Sequence, residues 1–276
     1  MKKIAILGPK NTYSDLCYHK FMSLSGLELT PYYYHSIQQV VKEGSLLDFV
    51  ILPFENTLEG YVQPHMDLLM ESGLCIDCEL SLPIDFKYVS KKHTTPLNLY
   101  VQYVTKNQCL NFIESHSNLN LVITDSNVES YHRFKEDPYG AAIVPNHIDT
   151  SEYDRKQNVS DRILNHTRFL ILKSKPIYLT KYQLKDTFKV SLVITPSEDK
   201  PGLLYEILKG FSNYDLNLIS IMSRPTKELL GNYHFFIDLE VKQDHYQEVL
   251  TVIEALSERF VVNVLGVYQV IKKNPA

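Results

Sequence analysis

The stretch Phe49-Val50-Ile51-Leu52-Pro53-Phe54-Glu55-Asn56-Thr57-Leu58-Glu59-Gly60-Tyr61-Val62 sets the fold class. Residues 49–52 are an apolar run of the kind that forms a buried strand. Met66-Asp67-Leu68-Leu69-Met70, just beyond, has helical spacing. Between strand and helix lie two carboxyls, an amide and a hydroxyl. Packing does not ask for such a cluster. The crevice past the carboxyl end of a strand is where open α/β sheets bind ligands.

The chain has 276 residues, room for about two domains at ~100–200 residues each. Apolar residues make up 44% and charged residues 22%, so a substantial core is available. The net charge of −4 gives no general attraction to nucleic acid or to an anionic membrane. An acidic ligand would need a local cluster of donors. Behind Met1-Lys2-Lys3 the apolar run is only Ile4-Ala5-Ile6-Leu7, shorter than the roughly 7–15 of a signal peptide. No run approaches the ~18 of a membrane span. A cytoplasmic protein is expected. Cys75-Ile76-Asp77-Cys78 is a lone C-x-x-C. With no second pair and no histidines at ligand spacing, it reads as core thiols rather than a metal site.

Strand 4–7 is broken by Gly8-Pro9-Lys10-Asn11-Thr12-Tyr13-Ser14, and a helix follows. Thr12 or Ser14 is its natural N-cap. A strand–turn–helix of this kind also offers backbone N–H groups to an anion; capping alone explains the same residues. Strand 29–34 and a helix capped by Ser36 come next. Strands at 74–80 and 82–89 carry the chain out of this first lobe. A second run alternates strand 97–104, a helix at 109–113, strand 121–124, a helix from Ser126 to Phe134 and strand 141–145. Such alternation implies mostly parallel sheets. Residues 149–161 read as polar and irregular. Strand 170–172 is expected to return to the first lobe, leaving two lobes with a cleft between them. Residues 173–185 read as a linker. Beyond it, strand 188–195, helix 201–214, strands 216–224 and 233–241 with Gly231-Asn232 between them, helix 246–260 and strand 261–271 spell the ferredoxin-like order βαββαβ.

Five pieces resemble, in order and spacing, the bacterial prephenate dehydratases with a C-terminal ACT domain. They are Gly8-Pro9 through Thr12-Tyr13-Ser14; Pro53-Phe54-Glu55-Asn56-Thr57 with Glu59-Gly60; Asn165-His166-Thr167-Arg168-Phe169; Lys200-Pro201-Gly202-Leu203-Leu204; and Ser223-Arg224-Pro225. Together they span nearly the whole chain. The resemblance implies an α/β fold. It would comprise a two-lobed catalytic domain like a type II periplasmic binding protein over 1–178, with lobe one about 1–80 and 165–178 and lobe two about 81–164. A ferredoxin-like ACT domain would follow over 187–273. It implies conversion of prephenate to phenylpyruvate, water and carbon dioxide in phenylalanine synthesis. No metal or organic cofactor is implied. Phenylalanine would act as effector at an ACT dimer interface of a homodimer or homotetramer, with neither nucleic acid nor membrane as partner.

Prephenate carries two carboxylates and a ring hydroxyl that leaves as carbon dioxide departs. Placed hydrogen-bond donors serve that reaction better than a strong base. By the resemblance, Thr167 donates to the leaving hydroxyl; from its residue type alone it is equally a β-branched strand opener. Asn56, Thr57, Thr12 and Ser14 are expected substrate contacts. Arg168 either clamps a carboxylate through its fork of donors or pairs with Glu55 or Glu59. Adjacent strand residues face opposite ways, so Thr167 and Arg168 are not both expected in the cleft. Glu55 is a general acid if burial raises its pKa, or an acceptor within a tight turn. Gln108 reaches the cleft or caps a solvated turn. Gly202, Leu203, Leu204, Asn217, Ser223 and Arg224 are the expected effector-site residues.

Three departures from the family pattern stand out. Val101, Gln102 and Tyr103 occupy the place of Ser, His and Pro in the S-H-P-Q motif, so the polar contact expected from lobe two is missing. Asn127 replaces the Thr of S-T-A. Met222 replaces the Glu of E-S-R-P, which weakens the case for phenylalanine sensing of family strength. A prephenate or phenylalanine sensor that has lost turnover is the rival reading.

Overall fold

The computed structural model describes residues 1–162, 164–174, 184–197, 200–227 and 232–271. The linker expected over 173–185 lies mostly outside them, as do Gly231 and the boundaries placed at 178 and 273. Lobe one begins with β1 (Lys2–Leu7), α1 (Tyr13–Ser25), β2 (Leu29–Tyr34), α2 (Ile37–Gly44) and β3 (Phe49–Asn56). It continues with β4 (Gly60–Tyr61), α3 (Gln63–Ser72) and β5 (Cys75–Pro83). β1 pairs in parallel with both β2 and β3. Thr12 caps α1 by accepting from Asp15 N, and left-handed Gly26 ends the helix.

Lobe two holds β6 (Phe86–Ser90), β7 (Asn98–Gln102), α4 (Tyr103–Asn107), α5 (Leu110–Glu114) and β8 (Asn120–Thr124). It closes with α6 (Asn127–Glu136), β9 (Gly140–Pro145) and β10 (Asp154–Lys156). Its sheet runs β10-β6-β9-β7-β8. Two expectations are corrected here. The strand expected over 97–104 stops at Gln102, because that side chain accepts from Thr105 N and starts α4. The segment expected to be irregular over 149–161 contains β10, an exposed edge strand paired antiparallel with β6.

β11 (His166–Lys173) returns to lobe one and inserts antiparallel between β3 and β5. Its alternation sorts side chains onto two cores. Phe169 and Ile171 join Ile4, Ile6, Phe49 and Ile51 under α1. Leu170 and Leu172 join Ala5, Val50 and Leu52 on the opposite face.

The C-terminal module is β12 (Thr187–Thr195), α7 (Leu203–Ser212), β13 (Leu218–Pro225), β14 (Tyr233–Lys242), α8 (Tyr246–Ser257) and β15 (Val261–Val270). Val190, Leu192, Ile194, Ile237 and Leu239 face the two helices. Val193, Phe236, Leu265 and Tyr268 project from the other face into the lobe-one core with Phe54, Met66, Leu69 and Ile76. The domains therefore share one apolar interior. They also share a sheet, for β15 pairs in parallel with β5 through Gln269 and Val270. The order β13-β14-β12-β15-β5-β11-β3-β1-β2, with β4 on β3, makes ten strands among the described residues.

Gly266 permits this join. A Cβ there would lie 2.6 Å from the Ile76 carbonyl oxygen and 2.9 Å from Ile76 Cβ. Gly266→Ala is expected to destabilise the protein by ~1–3 kcal/mol, the usual cost of overpacking. A lowered urea midpoint would register it; an unchanged midpoint would show that the strands part without cost.

Candidate active site

Thr167 lies near the start of β11, opposite Asn56 of β3 and Leu82 of β5. Asn56 Nδ2 donates to Thr167 Oγ1 at 3.0 Å and to His166 O at 3.2 Å. Its Oδ1 accepts from Leu58 N and Glu59 N. The amide thus fixes the turn and the threonine together. With one lone pair of Oγ1 occupied, the Thr167 hydroxyl is left to donate its own proton.

That hydroxyl faces a cleft between the lobes. Two adjoining hollows, about 480 and 570 Å³, share Tyr13, Gln102, Asn127 and Thr167. The first is lined by the starts of α1 (Thr12, Tyr13, Ser14) and α6 (Ser126, Asn127, Val128), with His35 between β2 and α2. Two helix N-termini, one from each lobe, therefore point their partial positive charge into one space. The second hollow is more apolar, with Tyr61, Val62, Ile84, Phe86 and Val104 in its walls. Among the described lining residues none is Lys or Arg; the carboxylates are the exposed Asp125 and Glu59.

The lobe-two wall is polar after all. Gln102 Oε1 accepts from Thr105 N at 3.0 Å. Thr105 Oγ1 donates to Asn127 Oδ1 at 2.8 Å. Both amide oxygens are engaged, and both NH₂ groups are left for the cleft. Gln102 and Asn127, two of the very replacements that suggested the loss of a polar contact, both line the cleft. Tyr13 ties the lobes together at the hinge side. Its hydroxyl donates to Asp85 O at 2.8 Å and accepts from Asp85 N at 3.1 Å. His147 Nε2 meets Asn11 O at 2.9 Å beside it. Asn11 takes the left-handed conformation, φ 68°, which Asn tolerates.

Several expected site residues fall elsewhere. Thr12 and Ser14 line the cleft, and Thr12 also caps α1. Thr57 is outside the lining; its hydroxyl donates to His166 O and accepts from His166 N, pinning the start of β11. Gln108 does reach the second hollow, while its Oε1 accepts from Asn165 Nδ2 at 2.9 Å. Of the two expectations for Arg168, the substrate clamp is corrected and the pairing with Glu55 holds, as part of an interdomain anchor. Strand alternation turns Arg168 away from Thr167, toward the C-terminal module. Nε donates to Glu79 at 2.5 Å, Nη1 to Asp238 at 2.6 Å and Glu55 at 3.3 Å, and Nη2 to the Tyr268 hydroxyl at 2.7 Å. Burial opposes its charge, but Tyr268, Asp238 and Glu79 outweigh that and push its pKa above the ordinary value. Glu55 shares this face, pairs with Arg168 and does not line the cleft, so it is not placed as a general acid.

The expected effector residues divide in the same way. Gly202 is the left-handed N-cap of α7, φ 83°, with Leu203 buried behind it and Leu204 exposed. Asn217 and Ser223 are exposed. Arg224 is instead clamped onto lobe one. Nε and Nη2 donate to the two Asp67 oxygens at 2.8 and 2.9 Å, and Nη1 to Gln63 Oε1 at 2.7 Å. Met222, on the same face, packs against the lobe-one core. The replacement of Glu by Met at this position thus adds an apolar contact between the domains.

The family model described as prephenate dehydratase matches residues 4–177, and that described as ACT domain matches 193–258. The chain is 32% identical over 268 residues to the prephenate dehydratase of Methanocaldococcus jannaschii, covering 95% of this chain and 96% of that one. A Staphylococcus aureus prephenate dehydratase superposes with TM-score 0.81 at 26% identity, over 97% of this chain and all of the other. An Arthrobacter aurescens prephenate dehydratase in complex with L-Phe superposes with TM-score 0.83 at 25% identity, over 99% and 92%.

Removing Arg168 leaves buried Asp238 without a cation and Glu79 with Lys189 alone. Arg168→Met is expected to cost ~3–5 kcal/mol in urea unfolding, the range for a broken buried ion pair. A loss under 1 kcal/mol would mean that Glu79 and Asp238 find other partners.

Proposed function

The chain belongs to the prephenate dehydratase family, and on that premise we propose that it is a carbon–oxygen lyase converting prephenate to phenylpyruvate, water and carbon dioxide. The observation that carries this reading is Thr167 at the cleft floor, its oxygen held by Asn56 and its proton free to be donated. Thr167 hydrogen-bonds to the departing ring hydroxyl. The bond from ring to carboxylate breaks as carbon dioxide leaves, and its electron pair enters the ring. The carbon–oxygen bond breaks, the hydroxyl leaves as water with a proton passed through the Thr167 hydroxyl, which regains one from solvent, and the ring becomes aromatic. The step balances without a metal or redox partner.

The dianion is held by dipoles rather than by cations. One carboxylate lies at the start of α1 with Thr12 and Ser14. The other lies at the start of α6, within reach of the Gln102 and Asn127 amides. The ring occupies the more apolar hollow beside Val62, Ile84 and Phe86. Preorganised donors in a confined cleft stabilise shifting charge without reorganising as the reaction proceeds. Gln108 holds Asn165, just ahead of the catalytic strand, rather than substrate.

The catalytic domain is taken as 1–178 and the ACT domain as 187–273, with phenylalanine as effector of the latter. Gly202, Leu204, Asn217 and Ser223 stay in the proposed effector set; Arg224 acts from the opposite face, through Asp67. The chain is taken as a homodimer or a homotetramer. Ile219 and Ile221 are exposed on β13, the terminal strand of the sheet, and Ile221 lies opposite Ile237, on the face that carries the ACT helices. Among the described residues, no helix is long and apolar enough to cross a membrane.

Purified protein given prephenate at neutral pH is expected to form phenylpyruvate. Thr167→Ala should lower kcat ~10²-fold or more, the effect of a lost preorganised donor; unchanged turnover would remove Thr167 from the mechanism. Thermal stabilisation by prephenate or phenylalanine without any turnover would establish the sensor reading instead. Ile221→Glu is expected to shift the sedimentation coefficient to that of a smaller assembly, and an unchanged value would place the subunit contact elsewhere.

A further inference from the structure

The carboxylate of Asp238 lies directly behind the active-site wall, yet it belongs to the ACT domain. It sits in the middle of β14 and is 0% exposed. Oδ2 accepts from Arg168 Nη1 at 2.6 Å and from the Tyr61 hydroxyl at 3.3 Å. Oδ1 accepts from Ser191, whose hydroxyl also meets the Tyr268 hydroxyl at 2.8 Å. Both catalytic-domain partners of Asp238 adjoin the cleft. Arg168 is the peptide neighbour of Thr167, and Tyr61 lines the second hollow. Burial first, and Asp238 next, hold the Tyr61 phenol protonated, so it donates to that carboxylate.

The backbone at this point is irregular on its β3 side. Thr167 and Arg168 pair with Asn56 and Glu55, but Phe169 pairs with Pro53, so the register slips by one between Arg168 and Phe169. The extra residue is Phe54 of β3, so the bulge interrupts the ladder on that side, while β11 pairs with β5 without a break from His166 to Ile171. Beyond the β5 ladder and the Thr57 bonds to His166, the side-chain holds on this tip of β11 are Asn56 on Thr167 and the partners of the Arg168 guanidinium. Arg168 stands second in an alternating chain of charges, Asp238, Arg168, Glu79 and Lys189, with Lys189 Nζ 2.6 Å from Glu79 Oε1. The first and last members are on the ACT domain. Such a chain adds little net stability over apolar packing of the same volume. Its distinct property is fixed geometry.

We propose that Asp238 of the ACT domain is a positioning residue for the active site, acting through Arg168 on Thr167 and through Tyr61 on the cleft wall. The inference rests on the prephenate dehydratase reading. In this chain the ACT domain is then part of the apparatus that aims the catalytic hydroxyl, in addition to any effector role.

The test is a double-mutant cycle on the full-length protein, with prephenate as substrate. Asp238→Asn keeps the volume and removes the charge. It is expected to lower kcat ~10-fold, since small misplacements of a catalytic group are costly, while KM changes less than about 2-fold, the signature of a loss confined to the transition state. In a Thr167→Ala background the same substitution should cost less than about 2-fold, because groups that act as a unit are not additive. Tyr268→Phe removes only the hydroxyl that meets Arg168 Nη2 and serves as a second, milder probe if Asp238→Asn does not fold. It should lower kcat in the same non-additive way. Equal losses in both backgrounds, an unchanged kcat, or a loss carried by KM would each overturn the proposal. Wild-type protein that forms no phenylpyruvate would overturn the underlying reading, and the proposal with it.

Discussion

The guanidinium of Arg168 is the point on which the two domains and the cleft all bear. It is buried, so its charge has to be met inside the protein. Two carboxylates from the catalytic domain, one from the ACT domain and a tyrosine hydroxyl meet it. This requirement fixes the orientation of β11 about its axis, and strand alternation then dictates that Thr167 looks into the cleft. A strand that placed Arg168 in the cleft would bury Thr167 against Asp238 and leave the carboxylates unpaired. Catalytic orientation and domain docking are satisfied by one rotation of one strand.

On the proposed reading, the cleft meets a dianion with dipoles and not with cationic side chains. Helix starts, amides and hydroxyls line it, and the two arginines of the signature motifs both turn to interdomain contacts. Dipoles held by their own hydrogen bonds have the advantage of not moving when charge shifts. Gln102 and Asn127 illustrate the principle. Each amide oxygen is engaged by Thr105, directly or through its hydroxyl, and this points the nitrogens toward the substrate space.

Motif-bearing parts of this architecture were legible in the sequence, and its long-range contacts were not. Strand–turn–helix units declare themselves through apolar runs and caps such as Thr12, Ser36 and Ser126, all of which accept from the backbone two or three residues into the helix. β10 has no such mark, for Asp154, Arg155 and Lys156 are all exposed and a two-faced polar edge strand shows no alternation. The partners of Arg168 are 70 and 100 residues away, at Asp238 and Tyr268. Both look like unremarkable strand residues until the sheets are brought together. The polar wall at Gln102 was hidden for a different reason. A motif comparison registers a missing histidine, whereas the glutamine that starts α4 also brings an amide to that place in the cleft wall.

The join between β15 and β5 has a consequence for how the protein is made. While β15 is unsynthesised, the catalytic domain can assemble β2, β1, β3, β11 and β5, but the outer edge of β5 stays bare, with unpaired N–H and C=O groups beside the apolar Ile76. Bare edges of this kind recruit strands from other chains, and nascent domains pass through just such a stage. The strand that covers the edge is translated after every other described strand. Folding on the ribosome therefore leaves the catalytic half open to mispairing for the time needed to synthesise the ACT domain, and that domain acts on its own chain as a late-arriving cap.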